Sequence, residues 1–152
     1  MSKSKLSRTF NSDELDKLAD SQFFTTDEES LQILRAHLLI ERILISYVQR
    51  KVSNPKALGK TNMNFRQILA LAEALDSNDE HEWLWPCISK LNELRNELAH
   101  EIQGKKYFSK LHAFLDSTEP WIHVDNLKED ERFVFRLRIF CKVASNFLEM
   151  QT

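Results

Sequence analysis

The sequence predicts an all-α fold, a single helical bundle of about five to six helices, and three observations carry that expectation. Only 2 glycines and 3 prolines occur in 152 residues, too few for the many tight turns of a β-rich chain. Apolar residues recur with helical spacing along several long stretches. The balance of 42% hydrophobic and 29% charged residues suits a soluble domain that buries its own core without disulfides. Residues 1–10 are polar and read as a flexible N-terminus. Residues 11–152 read as one domain, with no repeat or low-complexity tract.

Each element has a local cause. Ser12 is placed to cap a short helix to about Asp20, with Asp13 and Glu14 in its first turn. A second helix starts at Thr25 or Thr26, where Asp27, Glu28 and Glu29 suit the positive helix end, and runs to about Lys51. Projected at about 100° per residue, its Arg35, Arg42, Ser46 and Gln49 form one narrow polar strip, so the helix is expected to be surrounded on most sides. His37 and Glu41 lie inside its apolar arc, near Leu34, Leu38, Ile45 and Val48. Ser53, Asn54, Pro55 and Gly59 mark a connection. Residues 63–75 form a third helix with Phe65, Ile68, Leu69, Ala72 and Leu75 inward, and the run DSNDE at 76–80 breaks it. The next helix begins within 81–85 or with Pro86 in its first turn, continues to about Ile102 and stops at Gly104. Residues 105–115 are helical, a loop region ends near Pro120, and the last helix spans about Leu127 to Met150. Phe133, Leu137, Phe140, Ala144, Phe147 and Leu148 share one of its faces. Phe135, Ile139 and Val143 make a second stripe, which means either a helix buried on two sides or a dimer surface.

Much chemistry is excluded. Gly59 and Gly104 are too far apart for a Walker A loop or a dinucleotide fingerprint. Cys87 and Cys141 have no C-x-x-C partner and read as small core residues of a reducing compartment, which points to the cytoplasm. Lys3, Lys5 and Arg8 are followed by polar residues, unlike a secretion signal. The most apolar stretch, Leu31 to Val48, carries Arg35, His37, Glu41 and Arg42, unlike a membrane span. The net charge of −2 requires that any positive surface for RNA be local. No metal or cofactor is expected: His37 and Glu41 have ligand spacing without a third partner, and Asp79, Glu80, His81 and Glu82 read as an acidic helix start. Trp83 and Trp85 read as packing residues, and no serine or cysteine has a readable base beside it.

One segment is chemically specific. In ISKLNELRNELAHEI, residues 88–102, Ile88, Leu91, Leu94, Leu98 and Ile102 define the apolar face and Arg95 projects into it. A cation there needs a carboxylate or a special cavity. Asn96 and His100 are i,i+4 neighbours on the adjoining face.

The stretch LRNELAH resembles the R-N-x-x-x-H signature of HEPN domains, helical bundles of toxin–antitoxin, abortive-infection and antiviral defence systems. RAHLLIERIL resembles the early amphipathic helix of that family, with its buried-looking Glu41. The likeness extends over residues 27–150 in element order, though only the six-residue motif is specific. It implies a metal-independent endoribonuclease, with Arg95 and His100 catalytic across a homodimer and Asn96 at the polar position after the arginine. An imidazole with an ordinary pKa near 6.5 serves as proton donor or acceptor near neutrality. A guanidinium forks onto phosphate oxygens and offsets developing charge. The implied partners are RNA, a second copy and a cognate antitoxin or regulatory protein. The alternative is a non-catalytic RNA- or protein-binding regulatory module of the same fold. Many toxin members continue as H-x-Y; here Ile102 stands in place of that tyrosine, which removes the target of one known kind of control. Glu41 is expected to pair with Arg95 inside the bundle and orient it. Lys105, Lys106 and Lys110 are candidate phosphate contacts or a solvated face, and Tyr107 and Phe108 candidate stacking residues or core.

Overall fold

The computed structural model describes residues 29–100, 105–122 and 129–149. The predicted helix capped by Ser12 lies outside the described residues. Six α-helices are present among those described, with no strand: α1 Glu29–Lys51, α2 Pro55–Leu58, α3 Phe65–Leu75, α4 Leu84–His100, α5 Lys105–Thr118 and α6 Glu129–Glu149. A 3₁₀ turn, Asp79–His81, precedes α4. The all-α expectation is met, and no helix among the described residues is long and apolar enough to cross a membrane.

The boundaries have legible causes. Asn64 caps α3 in a reciprocal capping box: its side chain accepts from the Gln67 N–H, and the Gln67 side chain accepts from the Asn64 N–H, which satisfies two helix-end donors. Pro86 stands at the third position of α4, where no intrahelical donor is lost. At the far end of α1, Arg50 donates to the Ser46 hydroxyl at 3.0 Å and to the Leu148 carbonyl at 2.8 Å, tying the last turn of α1 to the last turn of α6.

α1 is the central helix and packs against α3, α4 and α6, while α5 lies on α4. Paired contacts give the directions. His37 meets Asn92 and Tyr47 meets Trp85, so α1 and α4 run antiparallel. His37 meets Phe65 and Tyr47 meets Asp76, so α1 and α3 run parallel. Glu93 meets Lys110 and Cys87 meets Ser117, so α4 and α5 are antiparallel. Ile33, Ala36, Leu39, Ile40, Ile43 and Leu44 of α1 join Ile68 and Ala72 of α3, Leu84, Ile88, Leu91 and Leu94 of α4, Phe114 of α5, and Leu137, Phe140 and Ala144 of α6 in one core. Cys87 and Cys141 belong to it as free thiols, and burial pushes both thiols up from their ordinary pKa.

Two expectations about faces are corrected. Ser46 and Gln49, read as part of a polar strip, are buried, whereas Leu34 and Leu38 are 42% and 40% exposed. α1 is enclosed all round only over residues 43–49, and its first half is open on one side. The second stripe of α6 is not buried on a second side: Phe135 is exposed, and Ile139 and Val143 are half-buried.

Candidate functional site

Arg95 lies on α4 between the buried positions Leu91, Asn92 and Leu98 and the exposed Ala99. It is half-buried, and among the described residues no carboxylate or other polar group pairs with it. Asn96 is exposed on the adjoining face. α4 ends at His100, whose side chain lies outside what the structure describes. Five residues of α-helix separate positions 95 and 100 by about 140° of rotation and about 7.5 Å of rise. Within one chain the two positions therefore lie on different faces of α4.

The antiparallel register settles where Arg95 stands against α1. With His37 level with Asn92, Arg95 is level with about residue 34, and Glu41 lies the other way along α1. The axial offset between Glu41 and Arg95 is about 10 Å. Glu41 is half-buried and has a polar partner, but the expected ion pair with Arg95 is not among those the described residues make. Both charges sit on apolar arcs, which suggests a pair; helix direction, which periodicity does not encode, separates them.

A different polar contact stands beside Arg95. His37 of α1 stacks on Phe65, the first residue of α3, with ring centroids 4.2 Å apart and planes at 27°. Its Nε2 lies 2.9 Å from Oδ1 of Asn92, and because an amide oxygen only accepts, Nε2 carries the hydrogen in this contact. Asn92 is 7% exposed and one turn before Arg95. Nothing in the sequence pairs His37 with Asn92, 55 residues apart. The one available signal was a polar residue, Asn92, placed next to the apolar face of its helix.

The basic-aromatic segment divides. Tyr107 is buried and donates to the Glu29 carboxylate, fastening the start of α5 to the start of α1; burial and that carboxylate push the phenol up. Phe108 is 47% exposed, edge-on to Tyr107. Lys106 is exposed. Lys110 reaches Glu93 of α4 at 3.4 Å in a solvent-exposed pair, so it is engaged with a carboxylate. The side chain of Lys105 lies outside the described residues.

At the opposite end of α1 is a buried polar cluster. The Asp76 carboxylate accepts from the Tyr47 hydroxyl at 3.3 Å and from the Asn78 N–H at 3.2 Å. Nδ1 of His81 lies 3.2 Å from its other oxygen, with both side chains almost fully buried. That approach is within ion-pair range but is angled away from a good hydrogen bond. The His81 ring meets Phe147 edge-on, and Trp83 stacks on the exposed Trp121. The acidic run read as a helix start thus contributes a buried histidine. A shallow open groove of about 260 Å³ lies between α3 and α4, lined by Arg66, Leu69, Ala70, Glu73, Trp85, Pro86 and Ser89. No group of three or more metal-ligating residues is assembled among the described residues.

No protein-family model matches the chain, and neither a curated protein nor a solved structure proved similar to it.

Proposed function

We propose that this chain is a metal-independent endoribonuclease of HEPN type, acting in a toxin or defence setting as a homodimer. In it Arg95 of one protomer and His100 of the other address the same phosphodiester. The observation that carries the reading is Arg95 itself: a half-buried guanidinium with no carboxylate beside it among the described residues. Holding a cation in that setting costs stability, and an anionic ligand offsets the cost. The separation of positions 95 and 100 around α4 supports a composite site, because two copies related by a twofold bring together faces that one copy holds apart.

Arg95 would fork onto the non-bridging oxygens, and His100 would take or give the proton as the ribose 2′-OH attacks the adjacent phosphorus. The test is incubation of purified protein with single-stranded RNA in EDTA, beside Arg95→Ala and His100→Ala. Cleavage by the wild type alone is the expected result. RNA binding without cleavage by any of the three would replace this reading with a non-catalytic RNA-binding regulatory module.

A further inference from the structure

We infer that Asn92, oriented by His37, is a second anion contact beside Arg95, so that the two residues together grip one phosphate group of a nucleic-acid chain. The inference rests on the reading that Arg95 addresses a phosphodiester, and it names residues that the R-N-x-x-x-H motif does not contain.

Asn92 and Arg95 are i,i+3 neighbours, about 60° apart around α4 and about 5–6 Å apart at Cβ. The carboxamide of Asn92 is held in one sense, because its oxygen is taken by the Nε2–H of His37 at 2.9 Å. The amide nitrogen is therefore turned away from His37 and offers two N–H donors. Among the described residues these donors meet no acceptor, and the amide nitrogen is not one of the sealed polar atoms left without a partner, so they open to solvent at the edge of a residue that is only 7% exposed. Beside them is a guanidinium that also lacks an acceptor among those residues. Two sets of unmatched donors one helical turn apart, one of them cationic, are complementary to a tetrahedral oxyanion with several acceptor oxygens.

The support behind Asn92 is rigid. Phe65 lies flat against the imidazole, and Phe65 opens α3 directly after its satisfied capping box. His37 is therefore a positioning residue: it touches Asn92, and Asn92 touches the phosphate. The nearest acidic residues of α4 do not compete. Glu93 is turned to Lys110, and position 97 is on the opposite side of the helix from Arg95.

The test uses a fluorescein-labelled 2′-O-methyl oligoribonucleotide, which lacks the attacking hydroxyl and so reports binding alone, read by anisotropy at fixed ionic strength. Asn92→Asp keeps the shape and replaces the donors by a carboxylate beside Arg95. Its affinity should fall at least about tenfold, as should that of Arg95→Ala. Asn92→Ala removes the donors without adding charge and should also bind more weakly, which keeps the test decisive if the aspartate variant does not fold. His37→Gln, whose amide can still donate to Asn92, should bind more tightly than His37→Ala. A purely structural role for the pair would lower the thermal midpoint without this rescue of binding. Asn92-dependent binding without cleavage of natural RNA by the wild type would sink the nuclease reading and leave this inference standing. Cleavage and binding indifferent to both Asn92 substitutions, or a wild type that ignores the probe, would overturn the inference.

Discussion

Tyr47 donates its phenolic hydrogen to the carboxylate of Asp76 across 3.3 Å, and the ring that carries it is sealed from solvent at 0% exposure. Burial first, then the charge and the hydrogen bond of Asp76, push the Tyr47 phenol up to about 12. In an unfolded chain a tyrosine ionises near pH 10. Below that pH both states keep the proton, and the contribution to stability is fully present. Between about pH 10 and 12 the unfolded chain releases it while the folded chain does not, so stability falls by about 1.4 kcal/mol per pH unit for this group. Tyr107, also pushed up, acts in the same direction. Urea unfolding at pH 9, 10 and 11 should show a steep decline in the wild type and a shallower one in Tyr47→Phe; equal slopes would contradict the sealed phenol.

Asp76 itself should be one of the costliest polar residues to remove. Its carboxylate is buried, receives the Tyr47 hydroxyl and the Asn78 N–H, and faces His81 at 3.2 Å. Asp76→Ala leaves a buried hydroxyl without its acceptor and loosens the turn between α3 and α4. The expected loss is about 2–4 kcal/mol, against less for Asp76→Asn, which keeps an acceptor oxygen. Combined with Tyr47→Phe, Asp76→Ala should be clearly non-additive, because the two single substitutions remove the same contact.

The bundle was legible because helical periodicity, a scarcity of glycine and the break at 76–80 each act locally. Pro86 falls in the first turn of α4 as its chemistry predicts, whereas the start of α3 is set two residues later than expected from residue 63, by the Asn64 capping box. What sequence did not reveal is which neighbours surround each helix. The strip Arg35, Arg42, Ser46 and Gln49 looked solvated, yet Ser46 and Gln49 are buried, since helices close around the second half of α1 and not around the first. The same blindness to direction placed Glu41 beside Arg95, and hid both the His37–Asn92 contact and the Tyr47–Asp76–His81 cluster. Arg95 stands out in the sequence as a cation within an apolar pattern; the structure holds it half-buried, with the exposed Ala99 one turn on.

Two adjacent leucines report on that uneven enclosure. Leu38 is 40% exposed and Leu39 is 1% exposed. Leu39→Ala should cost about 2–5 kcal/mol through lost transfer energy and a cavity, and Leu38→Ala under about 1 kcal/mol. Chemical denaturation of the two variants measures the difference directly. Similar losses would mean that the first half of α1 is covered after all, by a second copy or by another part of the chain.

The composite arrangement proposed for Arg95 and His100 makes a stoichiometric prediction that a site within one chain does not. Arg95→Ala and His100→Ala should each be inactive alone. In a mixed dimer one composite site carries both substitutions and the other carries neither. After co-refolding equal amounts, half of the dimers are mixed and each retains one of two sites, so cleavage should return to about a quarter of the wild-type level. Regain of activity should also follow the rate of subunit exchange. A mixture that stays silent, while size-exclusion chromatography shows mixed dimers, would place the guanidinium and the imidazole on one chain and overturn the shared-site geometry. Positions 95 and 100 lie on different faces of α4, about 140° apart, and that rotation is the physical reason to expect the mixture to regain activity.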